Sequence, residues 1–368
     1  MVESRIGVLA WAATASVAAA ISACGGNVAL EPSGGTGGAG GGAGGSGGAA
    51  CDAGPGGQPP AGPGACTPCA PPVRVADFPA VDAASLYQVN LLANSDAIYW
   101  VDEMNGVFRV PKTGGKFTVV PGTQGTLGVQ KTTFAVDDDG LYFCRPVPDG
   151  GWSLVRTATD GSDPVTLTSW GTTCLGVAVD GGDVFVATDE GITRMDKKTG
   201  AGPTPIADGA AVTAGSIWQF GAGASGVWWI DTAADGSSTN ALVAVPEGGG
   251  PLVTLEPKTF GATLALGGGS AYFSYEWPNA TAATYRTSAP GAAPTKIGAA
   301  YPVLAADADA YYSVLTLGVV RVPAAGGAPI LIESSQTVDS TYLLVDDTCV
   351  YWIDDHAQRV MKSWKGAP

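Results

Sequence analysis

Ala97-Ile98-Tyr99-Trp100-Val101-Asp102, then Glu103-Met104-Asn105-Gly106, then Val107-Phe108-Arg109-Val110-Pro111: this stretch decides how the chain is read. The two flanking runs are rich in β-branched and aromatic residues, and Asn-Gly is a strong signal for a two-residue type I′ turn. A turn at Asn105-Gly106 sets Met104 against Val107, Glu103 against Phe108 and Asp102 opposite Arg109. Upstream, Leu91-Leu92-Ala93-Asn94 reads as a short buried strand closed by the turn Asn94-Ser95-Asp96. Downstream, Pro111 to Gly115 turns the chain into a fourth strand, Lys116 to Val120. Gly, Pro and Asn punctuate each step.

The unit recurs. A bulky pair ending in an aromatic returns as Tyr99-Trp100, Tyr142-Phe143, Val184-Phe185, Trp228-Trp229, Tyr272-Phe273, Tyr311-Tyr312 and Tyr351-Trp352, at steps of about 39 to 44 residues. That period is the length of one four-stranded blade, so the expected fold is an all-β, seven-bladed β-propeller of four-stranded antiparallel blades. The last repeat stops at Trp364-Lys365-Gly366, after its third strand, while Val73-Arg74-Val75-Ala76-Asp77 precedes the first repeat without a partner. Pairing the two closes the ring with an N-terminal strand and leaves no open sheet edge. In the last hairpin a turn at His356-Ala357 puts Asp354 opposite Arg359. Arginine recurs in the third strands as Arg109, Arg156, Arg194, Arg286, Arg321 and Arg359, where it is read as pairing with acids of neighbouring strands and turns.

Tyr99-Trp100-Val101-Asp102, Trp228-Trp229-Ile230-Asp231 and Tyr351-Trp352-Ile353-Asp354 resemble the YWTD repeat of lipoprotein-receptor propellers, a likeness extending over about residues 73 to 368. TolB-like and lactonase-like propellers are comparable. The resemblance implies a structural motif that holds blades together. It implies architecture, not activity.

The N-terminus carries a second resemblance. Arg5 precedes an apolar and small-residue run from Ile6 to Ala20, too short to favour a permanent span. Ile21-Ser22-Ala23-Cys24 directly after it resembles the bacterial lipobox, which implies cleavage before Cys24 and its acylation. Gly25 follows, without the aspartate associated with inner-membrane retention, so the expected address is the outer membrane. Residues Ser33 to Gly64 are almost entirely Gly, Ala, Ser and Pro, a composition that cannot offset chain entropy by burial. Three segments are expected: a signal peptide at 1–23, a Gly/Ala/Pro-rich tether at 24–72 and the propeller at 73–368. The tether's r.m.s. span is about 35–40 Å.

The chain of 368 residues has a net charge of −15, which argues against nucleic acid, since phosphate binding needs clustered Lys and Arg. Of seven cysteines, six remain if Cys24 is acylated, an even number in an exported chain. Cys144 lies late in one repeat's second strand and Cys174 opens the next repeat's first strand, places that adjoin in a propeller, so a Cys144–Cys174 bridge is expected.

Catalytic constellations are scarce. The single histidine, His356, falls in a hairpin turn, so two-histidine metal sites are excluded. No P-loop or dinucleotide fingerprint follows a strand. Asp137-Asp138-Asp139 in a turn is the one candidate for a metal, Ca²⁺, though recurrence as Asp180, Asp307 and Asp346 says these aspartates chiefly shape the turn. The inner strands, such as Val177-Ala178-Val179, offer methyl groups where a lactonase-type channel needs acidic ligands. Tyr87, Trp170, Trp218, Phe260, Tyr301 and Tyr342 come just before the inner strands, at the face where one blade crosses to the next. They either wedge between blades or offer rings to a sugar or an apolar peptide. The expected protein is therefore a lipid-anchored envelope module that binds a protein or glycan, without cofactor. The alternative is a periplasmic hydrolase or lyase with a metal in the channel.

Overall fold

A computed structural model describes residues 72–77, 91–102, 105–124, 133–209, 212, 217–232, 240–276, 283–299, 301–315, 318–334, 342–354 and 358–366. Cys24, the tether up to residue 71, Tyr87 and His356 lie outside them. The protein is a seven-bladed β-propeller, each blade four antiparallel strands, with no α-helix among the described residues.

Blade 1 consists of Leu91–Ala93, Ala97–Asp102, Gly106–Pro111 and Thr118–Val119. Blade 2 follows with Phe134–Asp137, Gly140–Pro146, Trp152–Thr157 and Val165–Trp170, and blade 3 with Cys174–Asp180, Asp183–Thr188, Gly191–Asp196 and Thr204–Asp208. Blade 4 opens with Ile217–Gly223, Gly226–Thr232 and Asn240–Pro246; its outer strand runs on without a break, as Val253–Gly267, into the inner strand of blade 5. Blade 5 adds Ser270–Glu276, Ala283–Thr287 and Thr295–Ala299. Blade 6 is Ala305–Ala306, Ala310–Leu315, Gly318–Pro323 and Ile330–Glu333. Blade 7 has Leu343–Val345, Cys349–Asp354 and Arg359–Trp364, and its fourth strand is the N-terminal Val73–Asp77, paired as Val73 with Lys362 and Asp77 with Arg359.

The recurrent pair explains why the blades pack. Neighbours along a strand point to opposite faces of a sheet. Tyr99 accordingly joins the cluster shared with Phe134 and Phe143 of blade 2, while Trp100 joins Tyr351 and Ile353 of blade 7. Trp228 faces Phe273 of blade 5 and Trp229 faces Phe185 of blade 3. Among the described residues the buried apolar side chains fall into seven such clusters, one at each seam. Six of the seven seams bury large rings from both sides, and the seam of blades 2 and 3 sets Tyr142 of blade 2 against Val184, Val186 and Met195 of blade 3, at about 1.5–3 kcal/mol per side chain.

One register reading and two alignments between repeats are corrected. In blade 1 Asp102 stands opposite Gly106 and Tyr99 opposite Arg109, so the strands are offset by three from a turn at Asn105-Gly106. The rings decide this: Trp100 stacks on Phe108 at 5.4 Å between centroids, and Arg109 Nε donates to the Tyr99 hydroxyl at 3.2 Å. A cross-strand aromatic pair outweighs one exposed charge pair. Gly106 takes φ +94°, and a Cβ there would sit 2.7 Å from Thr123 Oγ1. In the last blade Asp354 does face Arg359, bonded at 2.9 Å, but the residue equivalent to Arg109 is Lys362, opposite Tyr351. In blades 3 and 6 the residues equivalent to Tyr142 are Phe185 and Tyr312, opposite Arg194 and Arg321, one place along from where the repeat suggests in sequence.

Candidate functional site

The rim where first strands turn into second strands is built from one device used several times. Asp137 Oδ1 accepts from the N–H of Asp139 at 2.8 Å and of Gly140 at 3.0 Å, shaping the turn as Asp does in tight turns. Asp307 binds Asp309 and Ala310 in the same way, and Asp346 binds Thr348 and Cys349. The second oxygen of each carboxylate reaches across the seam to a lysine that follows the third strand of the next blade. Lys197 Nζ meets Asp137 Oδ2, Lys365 meets Asp307 Oδ2 and Lys112 meets Asp346 Oδ2, each at 2.7 Å. Tyr312 and Tyr351 donate to the same oxygens of Asp307 and Asp346 at 2.9 Å.

These contacts tune the groups involved. Burial pushes the Asp346 carboxyl up, but the Lys112 ammonium and the turn amides outweigh it and hold the group below its usual range. Asp307 is lowered in the same manner, burial being overcome by Lys365. Burial, then the charge of Asp137, pushes the Tyr142 phenol up to about 12.

The sequence's metal candidate therefore has specific partners. Lys197 Nζ sits 2.7 Å from Asp137 and 2.9 Å from Asp139, and Lys198 is 3.1 Å from Asp139. Asp138 Oδ1 accepts from the Ser95 N–H of blade 1 at 2.7 Å. Ammonium groups stand where a Ca²⁺ would need free carboxylate oxygens. Among the described residues no group of three His, Cys, Asp or Glu side chains is placed to hold a metal ion. A groove of about 410 Å³ runs beside this cluster, lined by Asp137, Asp138, Asp139, Asp180 and Lys197.

The aromatic set divides. Trp170 is half-buried against the cluster of Tyr142, Cys144 and Cys174. Tyr301 packs beside Tyr272 and Tyr311, and Tyr342 beside Trp100 and Tyr351. Trp218 differs: it is 48% exposed. It lies in the inner strand of blade 4 at a bulge, where pairing jumps from Ile217–Asp231 to Gln219–Ile230. Bulges of this kind re-aim a side chain. Tyr87 and the Phe260 side chain lie outside the described residues.

Cys144 and Cys174 are disulfide-bonded across the seam of blades 2 and 3, their Cα atoms 6.3 Å apart. Cys349, buried in blade 7, is disulfide-bonded as well.

Two solved structures to which this chain is similar, with TM-scores above 0.5, support the architecture. The WD40 domain of Neurospora crassa Pan2 superposes with a TM-score of 0.54 at 8% identity, covering 81% of this chain and 96% of that one. A catalytically inactive virginiamycin B lyase from Staphylococcus aureus, solved with quinupristin, gives 0.51 at 13% identity, over 79% of this chain and 97% of the other. A chain of a nidogen/laminin complex gives 0.41 at 13% identity, over 62% and 89%. No protein-family model matches the chain, and neither does the sequence of any curated protein. At such identities the likeness is one of fold.

Proposed function

We propose that the chain is a lipid-anchored propeller of a bacterial outer membrane that acts as a non-catalytic binding module. The anchor would be Cys24, the tether residues 24–72, and the working surface the rim on which blades cross. The observation that carries the reading is Trp218: an indole 48% exposed, where Trp170, Tyr301 and Tyr342 are half-buried, and re-aimed by a bulge, suits a sugar face or an apolar peptide. The catalytic alternative needs inward acids free to bind a metal, and Asp137, Asp307 and Asp346 on the opposite rim are engaged by lysines.

The test has two arms. Cells fed labelled palmitate should label the chain and fail to label Cys24→Ser. Cross-linking in native membranes should then capture the same partner with the unaltered protein as with Tyr342→Phe, and lose it with Trp218→Ala. Capture unaffected by Trp218→Ala would sink the assignment of this rim. Stoichiometric Ca²⁺ or Zn²⁺ in the purified propeller, bound at the channel mouth, would favour the enzyme.

A further inference from the structure

Glu247 breaks a rule that the other seams obey. The residue that follows the third strand is placed alike in several blades by its own N–H. Lys112 donates to Asp96 O at 2.8 Å, Lys197 to Gly182 O at 3.0 Å, Lys365 to Thr348 O at 3.2 Å and Glu247 to Ser225 O at 3.3 Å. The three lysines bridge to Asp346, Asp137 and Asp307 of the preceding blade. Blade 3 keeps the acid: Asp180 opposite Asp183 is the counterpart of Asp137 opposite Gly140. Across the seam, however, the lysine's place is taken by Glu247, set there by the same N–H contact and by the ladder that pairs Gly226 with Pro246.

At the three remaining seams the ladders put Asn94, Gly223 and Gly267 at the acid's place and Thr159, Ala289 and Ala324 at the lysine's. Charge is matched in three seams and absent from both sides in three. Only between blades 3 and 4 do two like charges meet. A hydrogen bond between two carboxyls requires that one of them carry a proton, because ionised carboxylates only accept. The other charged groups around Glu247 come from blade 3. Arg194 Nε is bonded to Asp183 Oδ2 at 2.9 Å, and its Nη1 donates to the Glu247 main-chain carbonyl at 3.4 Å. The guanidinium is thus held by Asp183 and by main chain, and Asp183 adds further negative charge.

We propose that the joint between blades 3 and 4 is a proton-dependent latch: protonated Glu247 donates to the Asp180 carboxylate and holds this rim of the seam, and loss of that proton makes the two carboxylates repel and loosens it. Burial first, then the Asp180 hydrogen bond and charge, raise the Glu247 carboxyl above the ordinary value of 4.5. The sign follows from linkage. A folded-state carboxyl that holds its proton more tightly than the unfolded chain contributes stability in full below the unfolded value, and that contribution is lost as pH rises through the folded value. The dependence is opposite to that of the Asp307 and Asp346 carboxyls, which are held below their ordinary value.

Two variants of the full chain test it by thermal unfolding. Gln at 247 donates to Asp180 at every pH, so Glu247→Gln should match the unaltered protein at about pH 4, below the unfolded value, and unfold about 2 °C or more higher at about pH 8. Glu247→Lys should install the bridge of the other seams and gain at the higher pH too. A gap between variant and unaltered protein that stays flat from about pH 4 to about pH 8 overturns the latch. Should neither variant fold, a ¹³C carboxyl titration of Glu247 in the unaltered protein decides. A midpoint clearly above 4.5 supports the proposal, and one at or below it refutes it.

Discussion

Blade 3 forms one wall of two seams, and the two are held differently. Toward blade 2 it presents Val184, Val186 and Met195 to Tyr142 and Leu154, and it adds the Cys144–Cys174 bridge and Lys197 on Asp137 and Asp139. Toward blade 4 it presents Phe185, Ala187 and Ile192 to Val227, Trp229 and Val245; among the described residues no disulfide crosses there, and Asp180 meets Glu247 instead of a lysine. Both seams have the apolar wedge, whereas the covalent and ionic bolts belong to one. The wedge is thus the general means of joining blades, and the polar bolts are additions that can be absent, doubled or inverted.

The largest effect should come from removing the wedge where it stands without bolts. Trp229 is fully buried in the seam of blades 3 and 4. Trp229→Ala should cost about 3–5 kcal/mol, read from the denaturant midpoint. A loss under about 1 kcal/mol would mean that the rings are not what holds that seam.

Removing the covalent bolt ranks next. Cys144 and Cys174 are 30 residues apart, and Cys144→Ser with Cys174→Ser should cost about 2–4 kcal/mol. The double variant is a cleaner probe than a reducing agent, because Cys349 is disulfide-bonded too. An equal loss on adding reductant to the double variant would show a second bridge contributing independently.

Lys197→Met removes the ionic bolt of the same seam. With only 10% of the lysine side chain exposed, the loss should be about 1–3 kcal/mol. Its pH dependence has two ends. Burial lowers the Lys197 pKa, but Asp137 and Asp139 outweigh burial and raise it above 10.5, so its contribution is full below that value and fades as pH rises through the folded value. Lys197, then Lys198, hold Asp139 below 3.8, so that contribution is present above 3.8 and fades as pH falls through the lower folded value. The stability difference between variant and unaltered protein should be level across neutral pH and shrink at both extremes. A difference independent of pH would assign the loss to packing.

How much of this was legible in the sequence depends on the range of the interaction. Blade number and strand order follow from the spacing of rings, since each pair must bury itself on both faces of its sheet. Register was legible in the last hairpin, where Asp354 does face Arg359, and misread in the first, where the Trp100–Phe108 stack overrides the turn signal of Asn105-Gly106. The recurrence of Asp at 137, 307 and 346 showed the turn, which is local. That each second oxygen awaits a lysine about 60 residues later, or in the first blade for Asp346, becomes visible only when blades are laid side by side. Once they are, Lys112, Lys197 and Lys365 mark the device, and Glu247 stands out as its exception.

Trp218 should give the smallest change in stability and the largest in binding, which is why it sharpens the contrast with Trp229 in the same blade. Its indole is 48% exposed, so Trp218→Ala forfeits little burial and should move the unfolding free energy by less than about 1 kcal/mol. The neighbouring Gln219 carries the structural duty of that strand, since its Oε1 accepts from the Leu264 N–H of blade 5 at 2.6 Å. Gln219→Ala should therefore destabilise, while Trp218→Ala should leave folding intact and reduce capture of a membrane partner. If Trp218→Ala instead unfolds the propeller as Trp229→Ala does, the bulge has not re-aimed the ring outward, and the rim is one more wedge.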